Sequence, residues 1–314
     1  MNDGRLGKVA VMGAGAVGCY YGGMLARAGA DVTLIGRPRH MDAVNAHGLV
    51  LERREGRETV ALKAAVDPSA VRGARLVLFC VKSTATEAAA RAIAPHLAPD
   101  ALVLSLQNGV DNAERLRAAT ERAVIPAVVY VGCAMAGPGH VKHNGRGDLV
   151  IGVESPDAAS ALRARLADIA AAFSAAGVPV RISDNVIGEL WVKLAINCAY
   201  NALSALTRGR YGFLIGSEPA RRLMEEVVQE IEALAAKKGV RLADPKLRDT
   251  VYAVAGAMPD QTSSTEQDIA RGQTTEIDHL NGYVARQGEA LGVPTPVNRT
   301  LYALVKVLEA KSGA

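Results

Sequence analysis

The segment Gly13-Ala14-Gly15-Ala16-Val17-Gly18 constrains what this chain can fold into more than any other feature of its sequence. It follows an apolar strand pattern, Lys8-Val9-Ala10-Val11-Met12, and opens a helical stretch over residues 19–27. A GxGxxG in that setting suits a dinucleotide. The first glycine permits a tight turn, the second lets backbone approach a pyrophosphate, and the third lets helix and strand pack closely. The N–H groups that begin the helix would receive the phosphate charge. Gly13, Ala14, Gly15, Ala16, Val17 and Gly18 are therefore candidate cofactor-binding residues.

Further short β-branched runs, at residues 31–35, 76–81, 102–106 and 124–131, alternate with helical stretches, the pattern of a parallel sheet covered by helices. Residues 49–62, interrupted by Arg53-Arg54-Glu55-Gly56, read as a hairpin, and Asn144-Gly145 predicts a second hairpin turn between Val141 and Ile151. A helix opened by Ser155-Pro156-Asp157 and a short strand over 178–182 end this pattern, and from about Asn185 the chain reads as helical. The expected architecture is α/β: an N-terminal Rossmann domain with a doubly wound parallel sheet over residues 1–184, and an all-helical domain over 185–314. Within the helical half, Ser217 ahead of Glu218-Pro219 starts one helix that Gly239 closes. Asp244-Pro245 starts another, and Gly292 with Pro294 separates the last two.

Composition narrows the function classes. A length of 314 residues allows two domains, and 49% hydrophobic with 22% charged residues excludes a natively unfolded chain. A net charge of only +4, spread along the chain, with Trp 1, Tyr 8 and Phe 3, argues against nucleic acid as a partner, since that needs a dense basic face and stacking rings. Cys19, Cys80, Cys133 and Cys198 form no CxxC pair or zinc-type cluster, so they read as reduced core thiols with no metal site. The best uncharged segment, residues 123–139, is broken by Pro126 and several glycines, so no membrane span is expected. A strand beginning at Lys8 leaves no room for a signal peptide, and a cytoplasmic location is expected.

An NAD site would place Asp or Glu at the end of the second strand to bond the ribose hydroxyls. Here that place reads Ile35-Gly36-Arg37-Pro38-Arg39, and a guanidinium suits a 2′-phosphate, so NADP(H) is the expected cofactor. The third and fourth strands end in Cys80-Val81-Lys82-Ser83 and Ser105-Leu106-Gln107-Asn108-Gly109, which puts Lys82 and Asn108 where an open parallel sheet receives its ligands. Between Ile187 and Leu206 only Glu189 and Lys193 are charged, so the helix must be largely buried. Lys193, Asn197 and Asn201 follow at i, i+4 and i+8, and a buried face carrying an ammonium and two amides needs polar partners, either a bound substrate or other helices. A second polar constellation spans residues 262–269 and 274–282. Its simplest reading has Ser263 or Thr262 capping a helix and Thr275 and Glu276 in a helix's first turn.

Four separated motifs together give a resemblance to the ketopantoate reductase (2-dehydropantoate 2-reductase) family over essentially the whole length. They are the glycine loop, Gln107-Asn108-Gly109, Glu189-Leu190-Trp191-Val192-Lys193-Leu194-Ala195-Ile196-Asn197, and Thr275-Glu276-Ile277-Asp278 with Asn281-Gly282. The resemblance implies a Rossmann domain followed by a helical domain, with NADPH and a 2-oxo acid in the cleft between them. It makes Lys193 and Glu276 the catalytic pair and sets Asn108, Asn197, Asn201 and Ser264 around the substrate. Arg37, Lys82 and Asn108 fall on the cofactor side with the glycine loop. The implied activity is NADPH-dependent reduction of a 2-oxo acid, ketopantoate to pantoate first. The alternatives are a paralogous oxidoreductase for another oxo or hydroxy acid, or an NADP(H)-sensing protein without turnover. The expected partner is a small molecule, and a homodimer is compatible with the sequence. The chain departs from the family where Ala202-Leu203-Ser204 follows Asn201, many relatives having proline there, and in the loop Thr207-Arg208-Gly209-Arg210-Tyr211-Gly212-Phe213.

Overall fold

Strand β1 (Lys8–Met12) runs into helix α1 (Ala16–Arg27) through the glycine loop, and β2 (Val32–Ile35) returns parallel to β1. This is a computed structural model that describes residues 6–154 and 156–313. Its contacts fall into two units, one running to Val186 and the other from Ile187. In the first unit there follow α2 (Pro38–His47), β3 (Leu49–Arg53), β4 (Gly56–Val60), β5 (Lys63–Ala65), β6 (Ala74–Phe79), α3 (Thr86–Ile93), β7 (Leu102–Ser105), α4 (Asn112–Thr120), β8 (Ala123–Gly137), β9 (His140–Gly152), α5 (Pro156–Ala175) and β10 (Val180–Ser183). The strands β5-β2-β1-β6-β7-β8 form a continuous parallel ladder, the doubly wound dinucleotide order in which the chain reverses direction between its first and fourth strands.

Side-chain alternation shows why this sheet is buried on both faces. Val9, Val11, Leu76, Leu78, Leu102 and Leu104 join one core cluster with Tyr21 of α1 and Phe173 of α5. Ala10, Val77, Phe79 and Val103 join another with Ile93 and Leu116 of α3 and α4. The period of two splits each strand between two helical layers, so the strands must be apolar almost throughout. Each large aliphatic side chain so buried contributes about 1.5–3 kcal/mol.

Two expectations need correction here. Asn144-Gly145 makes no hairpin turn: residues 140–152 form the single strand β9, which pairs antiparallel with β8, and the turn is Pro138-Gly139, with Gly139 at φ +65°. Opposite β8, Cys133 pairs His143 and Gly132 pairs Gly145, which leaves Asn144 as an extra residue, a bulge that bends the strand without reversing it. The three-residue β5, too short for an apolar period, was not foreseen; it extends the parallel ladder beyond β2. The segment around residues 49–62 does form an antiparallel hairpin, β3–β4, with Arg53 opposite Gly56. It joins β9 and β8 in a second ladder, so β8 pairs with β7 up to Pro126 and with β9 thereafter. Of the expected helix start at residues 155–157, Ser155 lies outside the described residues.

After β10 the described residues are helical or irregular: α6 (Val186–Thr207), α7 (Tyr211–Gly216), α8 (Glu218–Lys237), α9 (Leu247–Ala257), α10 (Ser264–Ala270), α11 (Asn281–Leu291) and α12 (Pro296–Ser312). Helix α6 is apolar nearly all round, and Ala195, Cys198, Ala199, Tyr200 and Ala202 are wholly buried, as expected of a central helix. Helix α8 buries one stripe, Met224, Val227, Val228, Ile231, Leu234 and Ala235. On the same side, Glu230 accepts the N–H groups of Val297 (2.8 Å) and Asn298 (2.9 Å), so a carboxylate from one helix caps the positive end of another. Asp244-Pro245 does not itself open α9. The helix begins at Leu247, and Asp244 works from ahead of it, accepting from Lys246 N (2.8 Å) and from the Thr250 hydroxyl. Among the described residues no helix is long and apolar enough to cross a membrane.

Candidate active site

The glycine loop is tied to the ends of its neighbouring strands. Gly13 N and Ala14 N both donate to Ile35 O (3.0 and 2.9 Å), and Cys80 N donates to Met12 O (2.8 Å). Gly13 has φ +102°, and a Cβ there would lie 2.6 Å from Val81 N; at Gly18 it would lie 2.3 Å from Gly13 O. Those two glycines are demanded by the protein's own packing. Gly15 is not: a Cβ there would meet no protein atom within 4 Å, although its φ of −85° suits any residue. Helix α1 starts at Ala16, so its first turn offers the N–H groups of Ala16, Val17 and Gly18, with no acidic side chain in that turn. A backbone concavity with a positive helix end fits a dinucleotide pyrophosphate.

Arg37 is exposed at the N-cap of α2, directly after Gly36, where a Cβ would come within 2.8 Å of Ala14 Cβ. The residue expected to meet a 2′-phosphate thus directly follows a glycine packed against the glycine loop. A neighbour not singled out from sequence is His40. Its Nδ1 accepts Gly139 N–H (3.3 Å), and burial, with Arg39 and Arg37 nearby, pulls its pKa below the ordinary 6.5.

Lys82 and Asn108 stand on the loops after β6 and β7, and a buried amide and hydroxyl network joins those loops. Gln107 donates to Val81 O (3.1 Å) and Thr86 Oγ1 (2.7 Å). Asn112 donates to Asn108 O (2.5 Å) and Ser83 Oγ (3.0 Å), and Ser83 Oγ donates to Asn108 O (2.9 Å). Arg115 closes it, donating to Asn112 Oδ1 (2.9 Å) and Ser83 O (2.8 Å) while paired with Glu87 (2.6 Å). Sequence reading missed Gln107 and Asn112 as positioning groups. Their signal was the density of small polar residues at both strand ends.

In the second unit, Lys193 and Asn197 are half-buried and Asn201 is buried along one line of α6. Two segments are fastened to that helix. Asn201 Nδ2 donates to Ser264 Oγ (3.4 Å), and Ser263, not Thr262, caps α10 by accepting Glu266 N–H (3.0 Å). Farther along the chain, Asn281 Nδ2 donates to Cys198 O (3.1 Å), and Tyr283 meets Trp191 edge to face at 6.3 Å. Thr275 and Glu276, expected in a helix's first turn, instead lie ahead of a short 3-10 turn at residues 277–279. Thr275 is pinned to Glu309 through its N–H (2.8 Å) and hydroxyl (2.5 Å). Asp278 takes bonds from Tyr302 (2.7 Å) and Lys306 (3.0 Å), which hold its carboxyl below the usual range although burial opposes this. Glu276, half-buried, is carried between these two anchors.

All four cysteines are free; Cys19 and Cys198 are buried, and Cys80 and Cys133, half-buried, pack against the core that holds Cys19. Burial pushes Cys19 and Cys133 up to about 12, with Cys133 adding to the shift at Cys19, and raises Cys80 and Cys198 as well. None is poised as a nucleophile. Among the described residues no group of three or more His, Cys, Asp or Glu is placed to hold a metal ion.

Comparison with known proteins bears on the family and the fold. The family model "Ketopantoate reductase PanE/ApbA" matches residues 9–155, and its C-terminal counterpart matches residues 185–309. A 2-dehydropantoate 2-reductase from Pyrococcus horikoshii is 32% identical over 308 residues, covering 98% of this chain and 99% of that protein. A crystal structure of a PanE/ApbA family ketopantoate reductase from Ralstonia eutropha is 56% identical, with a TM-score of 0.91, and covers 98% of this chain and all of that one. A D-mandelate dehydrogenase, solved with NADH and anilino(oxo)acetate, also reaches a TM-score of 0.91, at 25% identity over 98% of this chain and all of that one. With both parts of the family matched in order along nearly its whole length, the chain belongs to the ketopantoate reductase family of oxidoreductases.

Proposed function

We propose that the protein reduces a 2-oxo acid to the 2-hydroxy acid with NADPH, ketopantoate to pantoate being the leading case, and that it does so in the cytoplasm. The reading divides the work, with residues 1–184 holding the cofactor and 185–314 the oxo acid. The observation that carries it is the polar face of α6, where Lys193, Asn197 and Asn201 stand in line on a helix otherwise almost wholly apolar. The segments bearing Ser264 and Glu276 are hydrogen-bonded around that helix and α12.

On this reading the pyrophosphate is held by the loop Gly13, Ala14, Gly15 and by the first-turn N–H groups of Ala16, Val17 and Gly18. Arg37 bonds the 2′-phosphate, and Lys82 and Asn108 line the approach to the nicotinamide. NADPH held by these residues would supply the hydride that the 2-carbonyl carbon takes up. As negative charge grows on the carbonyl oxygen, the Lys193 ammonium donates a hydrogen bond to it and then its proton. Asn108, Asn197, Asn201 and Ser264 orient the oxo acid, and Glu276 accepts from the hydroxyl end and fixes its facing. A second reading has a different oxo acid as substrate. It is supported by the likeness to D-mandelate dehydrogenase and by the departures after Asn201.

The test is loss of NADPH absorbance with ketopantoate beside phenylglyoxylate and other 2-oxo acids. The highest kcat/KM with ketopantoate is expected. A higher value with another oxo acid selects the second reading, and no turnover with any of them overturns both.

A further inference from the structure

The polar line on α6 does not stop at Asn201. Ser204 comes eleven residues after Lys193, about three helical turns on, and so lies in the line of Lys193, Asn197 and Asn201. Its side chain is wholly buried, between the buried Ala202 and Ala205. A serine in a helix interior commonly bonds back to the carbonyl four residues earlier. Ser204 instead reaches two other segments, its hydroxyl donating to Gly209 O (2.9 Å) and accepting the Ser263 N–H (3.1 Å).

Both partners bear on the proposed oxo-acid site. Gly209 lies in the short loop between α6, which ends at Thr207, and α7, which begins at Tyr211, within the stretch that departs from the pattern the resemblance implies. Ser263 donates from its own hydroxyl to Asn201 O (3.2 Å) and directly precedes Ser264, to which the Asn201 amide donates. Helix α10 has only seven residues, too few to be stable alone, so tertiary bonds decide where its first residue stands. Three such bonds join α6 to this point, two at Ser263 and one at Ser264, and the Ser204 hydroxyl is the group among them that also grips the neighbouring loop.

We infer that Ser204 is a positioning residue of the oxo-acid site. Its hydroxyl sets the distance between the polar face of α6 and Ser264, and locks the 207–210 loop to the same point, so that substrate selectivity passes through a residue that need not touch substrate. The inference rests on the proposed roles of Asn201 and Ser264. Losing the hydroxyl removes a bond from two buried backbone groups, which then relax together with α10.

The test uses the whole enzyme and four variants: Ser204→Ala, Ser204→Thr, Ser264→Ala, and Ser204→Ala combined with Ser264→Ala. Expected for Ser204→Ala is a rise of about tenfold in KM for the oxo acid, with kcat and NADPH affinity nearly unchanged. Ser204→Thr, which keeps the hydroxyl, restores KM. The double variant has the KM of Ser264→Ala alone, because two residues acting through one contact do not add. If Ser264→Ala raises KM while Ser204→Ala does not, or if the two effects multiply, the positioning role is overturned and the reading of the site survives. If Ser264→Ala leaves KM unchanged, the substrate role of Ser264 fails and takes the positioning role with it. Should Ser204→Ala not fold, Ser204→Cys keeps a weaker donor and acceptor in the same place; it must show the same selective rise in KM, and an unchanged KM overturns the proposal.

Discussion

The two units present their candidate ligand groups in opposite ways. The first does so largely with backbone. The glycine loop, the first turn of α1 and the strand ends of β6 and β7 are shaped by hydrogen bonds such as Gly13 N and Ala14 N to Ile35 O, with Arg37 and Lys82 added at the rim. The second does so with side chains, Lys193, Asn197 and Asn201 from one helix, and Ser264 and Glu276 from segments anchored around it. A site made of backbone is sensitive to any added Cβ and indifferent to most side-chain chemistry. One made of side chains can lose its chemistry at a single atom while its fold persists.

Apart from the lysine of α6, the largest effect that sharpens this contrast is expected at Glu276. Glu276→Gln keeps the shape between the Thr275 and Asp278 anchors and removes the charge, so turnover should fall about 10²-fold with melting temperature unchanged. Steady-state kinetics beside thermal denaturation decide it, and a matching drop in stability would make Glu276 a structural carboxylate.

Next comes Arg37→Asp. A charge-assisted contact worth about 1.5–3 kcal/mol is replaced by repulsion, so the preference for NADPH over NADH should fall about tenfold to a hundredfold. Equal affinity of the unmodified protein for both cofactors would remove Arg37 from the phosphate site.

The glycine loop separates packing from binding within one motif. Gly18→Ala forces a Cβ to 2.3 Å from Gly13 O and should destabilise the protein by about 1–3 kcal/mol. Gly15→Ala meets no protein atom within 4 Å and should leave the fold as stable or firmer by about 0.4–1 kcal/mol while weakening NADPH binding. Chemical denaturation with and without NADPH reads both, and tight NADPH binding by Gly15→Ala would place the pyrophosphate elsewhere.

The smallest effect belongs to His40, whose neutral ring accepts Gly139 N–H and whose pKa is lowered first by burial and then by Arg39 and Arg37. Because the folded value lies below the unfolded one, its contribution to stability is present above about pH 6.5 and is lost as pH falls through the folded value. An NMR titration should give a midpoint below 6.5, and one at or above that would contradict the packing around α2.

The same contrast explains what the sequence revealed. The strand, glycine loop and helix of residues 8–27 were legible because each step depends on the next few residues. The line of Lys193, Asn197 and Asn201 was legible because helical periodicity alone puts them on one face. What stayed hidden depends on partners distant along the chain. Thr275 reads as a helix start until Glu309 is found bonded to it. Asn144-Gly145 reads as a turn because that dipeptide favours one, and only the pairing of β9 with β8 makes it a bulge. Gln107 and Asn112 were overlooked because their bonds join two loops some 25 residues apart.

The most direct measurement pairs kcat with NADPH affinity in Lys193→Met, a substitution close in length that removes the ammonium from α6. If the lysine protonates the developing alkoxide while the other unit holds the cofactor, NADPH should bind with unchanged affinity and the fold should be as stable or more so, since a buried methionine costs less than a buried charge. Turnover of the best 2-oxo acid should fall by about 10²–10⁴-fold. Near-normal turnover in Lys193→Met would contradict the catalytic role of the helix, and with it the division of cofactor and chemistry between the two units.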